Sequence, residues 1–352
     1  MVGIALLTLV PGELGGSETY ARELLRALGD VGELEYRVVL PPAAAALETG
    51  LETQVATGYR NAHTVPQRLA AMTLAALRPG LLQALLRDAD VVHYPLTLRI
   101  PPVERPTVVT LHDVQHLDLP HLFGRGERAF RGVAWHRSIR SADRVVVPSA
   151  FVRDRAVAKL RLDAARVQVV HSGVDHALFR PGEEEREPFL LYPARRWGHK
   201  NHARLYEAFA ALRADRPGLR LVLTGDPRPV TLPEGVDDRG LVSAEELAAL
   251  YRRAFALVFP SLYEGFGQPP LEAMACGCPV ACSNAGALPE IAGDAARLFD
   301  PRDPAAIAEA VRDVLDAPQE WRARGLARAA GFSWQATARG YDAVYRSWST
   351  RS

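Results

Sequence analysis

The sequence predicts an α/β protein made of two Rossmann-like, doubly wound domains. Three observations carry this expectation. The chain has 352 residues, more than one hydrophobic core usually serves, so two domains of ordinary size are expected. In each half, short β-branched or leucine-rich runs alternate with helical patterns, as in parallel sheets with crossover helices. Between the halves, Pro181-Gly182-Glu183-Glu184-Glu185-Arg186-Glu187-Pro188 is a charged, proline-bounded stretch that reads as an interdomain linker.

Taken in order, residues 2–10 form a first strand and 18–28 a first helix. Runs at 36–40, 91–94, 107–111, 144–148 and 167–171 supply further strands. After the break, 189–192, 219–224, 256–260 and 279–283 are the clearest strands, with helices at 203–213 and 244–254 between them. The stretch 334–348 is helical and is expected to pack back on the first domain. The expected division is 1–180, 181–333 and a C-terminal helix at 334–352. No repeat of 20 to 50 residues is visible.

Composition narrows the function. With 48% apolar and 24% charged residues and a net charge of +1, the chain is globular and is not built to bind nucleic acid. The start, Met1 to Pro11, lacks a basic n-region and runs into Gly12-Glu13-Leu14-Gly15-Gly16, so it reads as a strand and loop rather than a signal peptide. No apolar run is long enough to span a bilayer. Cys276, Cys278 and Cys282 have a spacing that fits neither a disulfide framework nor a usual zinc pair, and they read as small buried hydrophobes. A reducing, cytoplasmic compartment is expected.

The densest motif runs from Glu264 through Gly265-Phe266-Gly267-Gln268-Pro269-Pro270-Leu271 to Glu272. It follows a predicted strand and opens a short helix that stops at Gly277, at the edge where open α/β sheets bind ligands. A helix N-terminus favours an anion, and Gly265 and Gly267 let the backbone approach it. Pro269 and Pro270 have no N–H, so diphosphate contacts are expected from Phe266, Gly267, Gln268 and Leu271. Glu272, read as lying on the first helical turn, is placed to accept bonds from a ribose diol. Glu264, eight residues earlier, is placed to reach a hexose.

Glu264 and Glu272, followed by Ala273-Met274-Ala275-Cys276-Gly277-Cys278-Pro279-Val280, closely resemble the E-x7-E signature of retaining glycosyltransferase family 4. Gly286-Ala287-Leu288-Pro289-Glu290 resembles the same family's G-x-PE turn. The resemblance covers most of the chain. It implies the GT-B fold, with two Rossmann-like domains facing a central cleft: a first domain for the acceptor and a second for the nucleotide-sugar donor. It also implies retention of configuration, no divalent cation and no cofactor beyond the donor itself. The first glutamate then lies near the donor sugar and the second on the ribose.

Other positions follow from the same resemblance. In Tyr192-Pro193-Ala194-Arg195-Arg196-Trp197-Gly198-His199-Lys200-Asn201-His202, Arg195 and Lys200 match the family's Arg and Lys, the fixed positive charge a metal-free transferase needs on its leaving diphosphate. Arg196 is an adjacent competitor. Lys200 stands out because only Lys159 and Lys200 are lysines among 42 basic residues. Gly16, after Gly15, resembles the Gly-Gly loop facing the donor phosphates or acceptor, and His112 the histidine beside the transferring sugar. Leu241 and Val242, after Gly240, resemble a segment whose backbone meets the nucleotide base.

The implied donor is a nucleotide diphosphate sugar, GDP-mannose as first choice. The implied acceptor is a glycan, lipid-linked or natural-product hydroxyl. Arg125, Arg128, Arg131, Arg137, Arg140 and Arg144 form a basic stretch that reads either as a solvated helix face or as a contact with anionic lipid or a polyprenyl diphosphate acceptor, which would set the enzyme against the inner face of a membrane. The alternatives are a GT-B epimerase or phosphorylase, and a nucleotide-sugar-binding protein without turnover.

Overall fold

The computed structural model describes residues 1–13, 15–59, 65–225 and 231–349, so Leu14 of the glycine-rich loop falls outside it. The chain divides into two compact units. Met1–Ser172 together with Trp334–Ser352 form the first, and Gly173–Ser333 the second.

The first unit holds a parallel sheet of β1 (Val2–Ala5), β2 (Tyr36–Leu40), β3 (Glu52–Val55), β4 (Val91–Tyr94), β5 (Thr107–Thr110), β6 (Arg144–Val147) and β7 (Val167–Val169), in the order β3-β2-β1-β4-β5-β6-β7. Strands β1, β4 and β5 are buried along their whole length. That is why they read as continuous apolar runs rather than alternating ones. The first strand ends at Ala5, sooner than the apolar run does, because Leu9 N–H turns back to Leu6 O at 2.9 Å. The helix Gly16–Val31 buries Tyr20, Leu24, Leu25 and Leu28 on one face.

The last helix, Trp334–Ser349, belongs to this unit. It buries Trp334, Ala338, Tyr341 and Val344 in the core that contains Val2, Ile4 and Leu24. It is also tied in by a buried polar chain. Tyr345 OH lies 2.7 Å from His93 Nδ1, His93 Nε2 2.8 Å from Thr110 Oγ1, and Thr110 Oγ1 2.7 Å from Tyr341 OH. Tyr341 OH in turn meets Tyr20 OH. Burial, assisted by the nearby His112, pushes the His93 imidazole down to about 3, so it sits in this chain as a neutral ring.

The second unit holds β8 (Glu187–Pro193), β9 (Arg220–Thr224), β10 (Val236–Asp238), β11 (Ala254–Phe259), β12 (Val280–Ser283) and β13 (Arg297–Phe299), all parallel. Their order is β10-β9-β8-β11-β12-β13. Strand order therefore reverses between β8 and β11, and the loops leaving these two strands diverge from a single crevice.

Two expectations about the junction are corrected. The second unit begins at Gly173, before the Pro181 stretch, because Val174 N–H bonds Phe332 O at 3.3 Å and Val174 bridges to Ser333. The acidic stretch is not a free linker. Glu184 pairs with Arg252 at 2.5 Å, and Glu187 with Arg253 and with Arg220, which fastens the stretch to the second unit's surface.

Candidate active site

The loop after β8 positions Lys200. Tyr192, at the strand's end, donates its hydroxyl to Lys200 O at 2.5 Å, and a single 3₁₀ turn, Gly198–Lys200, carries the side chain forward. Asn201 then adopts a left-handed conformation, φ 61°. Its amide donates to Pro260 O at 3.0 Å and Pro301 O at 2.7 Å, while Leu262 N–H bonds His199 O at 2.7 Å. The β8 and β11 loops are thus sewn together on both sides of Lys200. Lys200 Nζ lies 2.6 Å from Glu264 Oε1, each side chain more than four-fifths buried. Glu264 is therefore not a solvated loop charge.

Glu264 is held from behind. Gly286 has φ +67°, and a Cβ there would stand 2.6 Å from Glu264 N and 2.7 Å from Glu264 O, so only glycine fits. Ala287 N–H bonds Glu264 O at 3.0 Å. Further along, Gly267 has φ +111° and forms the uncapped start of the helix Gln268–Ala275, whose first turn contains both prolines and no acid.

That start places Glu272 one residue past the first turn, not on it. The shift matters, because the carboxylate is withdrawn from the helix mouth and buried. Tyr251 OH donates to Glu272 Oε2 at 3.1 Å. Burial pushes the Glu272 carboxyl up to about 7, against the opposing hydrogen bonds from Tyr251 and Gln268. Gln268 Nε2 also donates to Gly173 O at 2.8 Å, tying the helix mouth to the start of the second unit. Leu271 and Phe266 point their side chains into the core, leaving only backbone for a ligand there.

The two adjacent arginines part. Arg196 bonds the Asp238 carboxylate at the end of β10. Arg195 meets no carboxylate among the described residues, and its guanidinium lies 5.6 Å from the Trp197 ring. Of the two, Arg195 is the guanidinium without a counter-charge among the described residues. Leu241 is 62% exposed. Gly240 O before it accepts from Gly225 N–H at 2.7 Å, which brings the loops after β9 and β10 together.

In the first unit, His112 follows β5. Its Nε2 lies 2.9 Å from Pro95 O; a carbonyl can only accept, so Nε2 carries the proton and Nδ1 is left as an acceptor. Burial lowers the ring's pKa, offset in part by the Pro95 carbonyl and Asp113. The ring stands edge-on to Tyr20, centroids 4.9 Å apart. Gly16 opens the helix Gly16–Val31 with open space where a Cβ would be, and its cap is Gly15.

Three residues escaped the sequence reading: Tyr251, Asn201 and Asp238. Tyr251 is one apolar-face residue of an ordinary amphipathic helix, and Asp238 lies in a strand too short to recognise. Asn201 adjoins Lys200 and was legible only as part of that run. The cysteines are free and buried, with burial pushing their thiols up to about 12, 11 and 12 for Cys276, Cys278 and Cys282. Among the described residues no cluster of His, Cys, Asp and Glu is arranged to hold a metal, and no helix is long and apolar enough to cross a membrane.

Comparison with known proteins shows the family and the fold. Residues 175–329 match the family model "Glycosyl transferases group 1", and residues 14–178 match "Glycosyltransferase Family 4". The chain is 31% identical to the O-antigen chain mannosyltransferase B of Escherichia coli, over 71% of this chain and 73% of that one. It is 30% identical to a D-inositol 3-phosphate glycosyltransferase of Frankia alni, over 95% of each. Its fold is similar to that of sucrose-phosphate synthase from Thermosynechococcus elongatus, with TM-score 0.79 and 20% identity over 100% of this chain and 99% of that one. HepE of Anabaena, solved with UDP-glucose, is similar with TM-score 0.75 and 18% identity over 98% and 99%.

Proposed function

Since the chain belongs to glycosyltransferase family 4 and is a glycosyltransferase of the GT-B fold, we propose that it transfers mannose from GDP-mannose, with retention and without a metal, to a glycan or lipid-linked hydroxyl. Mannose is favoured by the mannosyltransferase relatives. The observation that carries the mechanism is the Lys200–Glu264 pair at the β8/β11 reversal, with Arg195 on the same β8 loop as Lys200.

An ammonium has three N–H donors. Lys200 keeps one on Glu264 and turns the others to the departing diphosphate, whose charge grows as the glycosidic bond breaks. Arg195 adds a planar fork to the same charge. Glu264, fixed from behind by Gly286, faces the hexose as it flattens. Glu272 accepts the ribose hydroxyls. His112, neutral with Nδ1 free to accept, takes a hydrogen bond from a sugar hydroxyl. The donor's own phosphate receives the acceptor proton, so no protein carboxylate becomes a nucleophile. With charge supplied this way, EDTA should leave turnover unchanged; loss of rate on chelation and its return with manganese or magnesium would refute the metal-free clamp.

Calorimetry with GDP, UDP, dTDP and ADP, paired with turnover of the matching sugar donors, tests the assignment. GDP should bind tightest. Glu272→Ala should weaken nucleoside diphosphate binding by about 1–3 kcal/mol, the cost of leaving buried polar groups unpaired. Glu264→Gln should leave that binding nearly intact and lower the rate of the bound complex, because its contact strengthens in the transition state. The opposite pattern would reverse the two roles.

A further inference from the structure

An open surface depression of about 440 Å³ lies wholly within the first unit, among the short helices that follow β5. Arg125, Arg128 and His116 form its polar wall, with Pro120 and Gly132 beside them.

The charges around it are lopsided. Neither Arg125 nor Arg128 meets a carboxylate among the described residues, whereas the nearby acids are already engaged. Glu127 pairs with Arg131 at 2.8 Å, Asp113 lies 3.9 Å from Arg131, and Asp118 pairs with Arg155. Arg131 is itself fixed, its guanidinium 4.3 Å from the Trp135 ring centroid and 4.8 Å from that of Phe123. It begins a π-helical turn, Arg131–Trp135, a feature found frequently at functional sites.

His116 supplies an independent sign of a ligand. It is 3% exposed, its Nε2 lies 3.2 Å from His136 Nε2, and its Nδ1 has no partner among the described residues. A buried ring nitrogen is seldom left so. When His136 donates to Nε2, the tautomer of His116 places a proton on Nδ1. Burial, then Arg131, push this imidazole down to about 4, so it offers a donor without adding a third charge.

Two guanidinium forks without counter-ions and one buried neutral donor match the several oxygens of a phosphoryl group, which arginine binds bidentately. We propose that this pocket binds the phosphoryl group of the acceptor. Assigning it to the acceptor rests on the transferase reading above; the anion site itself does not. The phosphoryl group comes either from a soluble phosphate ester or from a lipid headgroup.

Two tryptophans report on the two sites separately. Trp135 lies beside His116, ring centroids 5.7 Å apart, and Trp197 beside Arg195. Inorganic pyrophosphate is titrated into the full ¹⁵N-labelled chain while the two indole N–H resonances are followed, each assigned by Trp→Phe substitution. The Trp135 signal should move saturably, and Arg125→Gln/Arg128→Gln should weaken that response about tenfold or more while the Trp197 response persists. Both arginines are exposed, so the double variant should keep its fold, checked by its melting curve. A Trp135 signal that stays still, or one that responds equally in the double variant, overturns the proposal. If Trp197 alone fails to respond, the donor clamp falls and this pocket stands. Source is decided by glucose 6-phosphate against vesicles of phosphatidylcholine with phosphatidylglycerol. Arginine-dependent shifts with the former identify a soluble ester, and arginine-dependent co-sedimentation with the latter identifies a headgroup.

Discussion

The Glu272 carboxyl titrates near 7 because the fold buries it against Tyr251, and this has a measurable consequence for stability. Between an ordinary carboxylate pKa and about 7 the folded chain holds a proton here that the unfolded chain has released. Over that window the group's contribution to stability falls as pH rises, then levels off. His93, His112 and His116 act in the opposite sense. Their depressed values mean the unfolded chain binds protons first, so their contribution is lost as pH falls below the ordinary imidazole value. Glu272→Gln should therefore gain stability over wild type as pH rises from about 4.5 to 7, by up to on the order of 3 kcal/mol, while the histidine slope is common to both. Melting temperatures of the two proteins across that range check this; a constant gap would mean that Glu272 is not desolvated. The spacing of Glu264 and Glu272 was plain in the sequence. Their environments were not, since Tyr251 reaches Glu272 from a neighbouring helix and Lys200 reaches Glu264 from the loop of an adjacent strand.

At the scale of the element, the turn after β12 acts as a stop for the β11 loop. Gly286→Ala should push the Glu264 backbone away, because the added methyl would overlap both its N and O and the φ is unfavourable besides. A cost of about 1–3 kcal/mol in stability is expected, with a larger loss of turnover than of nucleoside diphosphate binding. Equal losses in both would show that the turn supports the whole loop rather than Glu264. The longer apolar strands were legible because burial on both faces leaves an unbroken hydrophobic run. β3, β10 and β13 were not, being three or four residues long and carrying charged or polar residues such as Glu52, Asp237 and Arg297. The boundary at Gly173 was illegible for another reason. It is set by Val174 meeting Phe332 and Ser333, a pairing far apart in sequence.

For the whole molecule, the decisive feature is that the second unit is inserted into the first. Ending the chain at Ser333 removes Tyr341 and Tyr345, stranding His93 and Thr110 in the core. Such a truncation should abolish the first unit's cooperative unfolding, while residues 173–333 still unfold cooperatively and bind nucleoside diphosphate. Calorimetric scanning checks this, and a truncated chain with both transitions intact would overturn it. The insertion also governs what happens on the ribosome. Domains made in order usually fold in order, at about 5–20 residues per second. Here the N-terminal sheet emerges first, yet the helix that shares a core with Val2, Ile4 and Val91 is translated only after the second unit. The nascent first unit must wait roughly ten to thirty seconds while Gly173–Ser333 is made, with an apolar face open to chaperones or to a neighbouring nascent chain. The unit begun first is completed only after the second, and its yield in a cell depends on what guards that face during the delay.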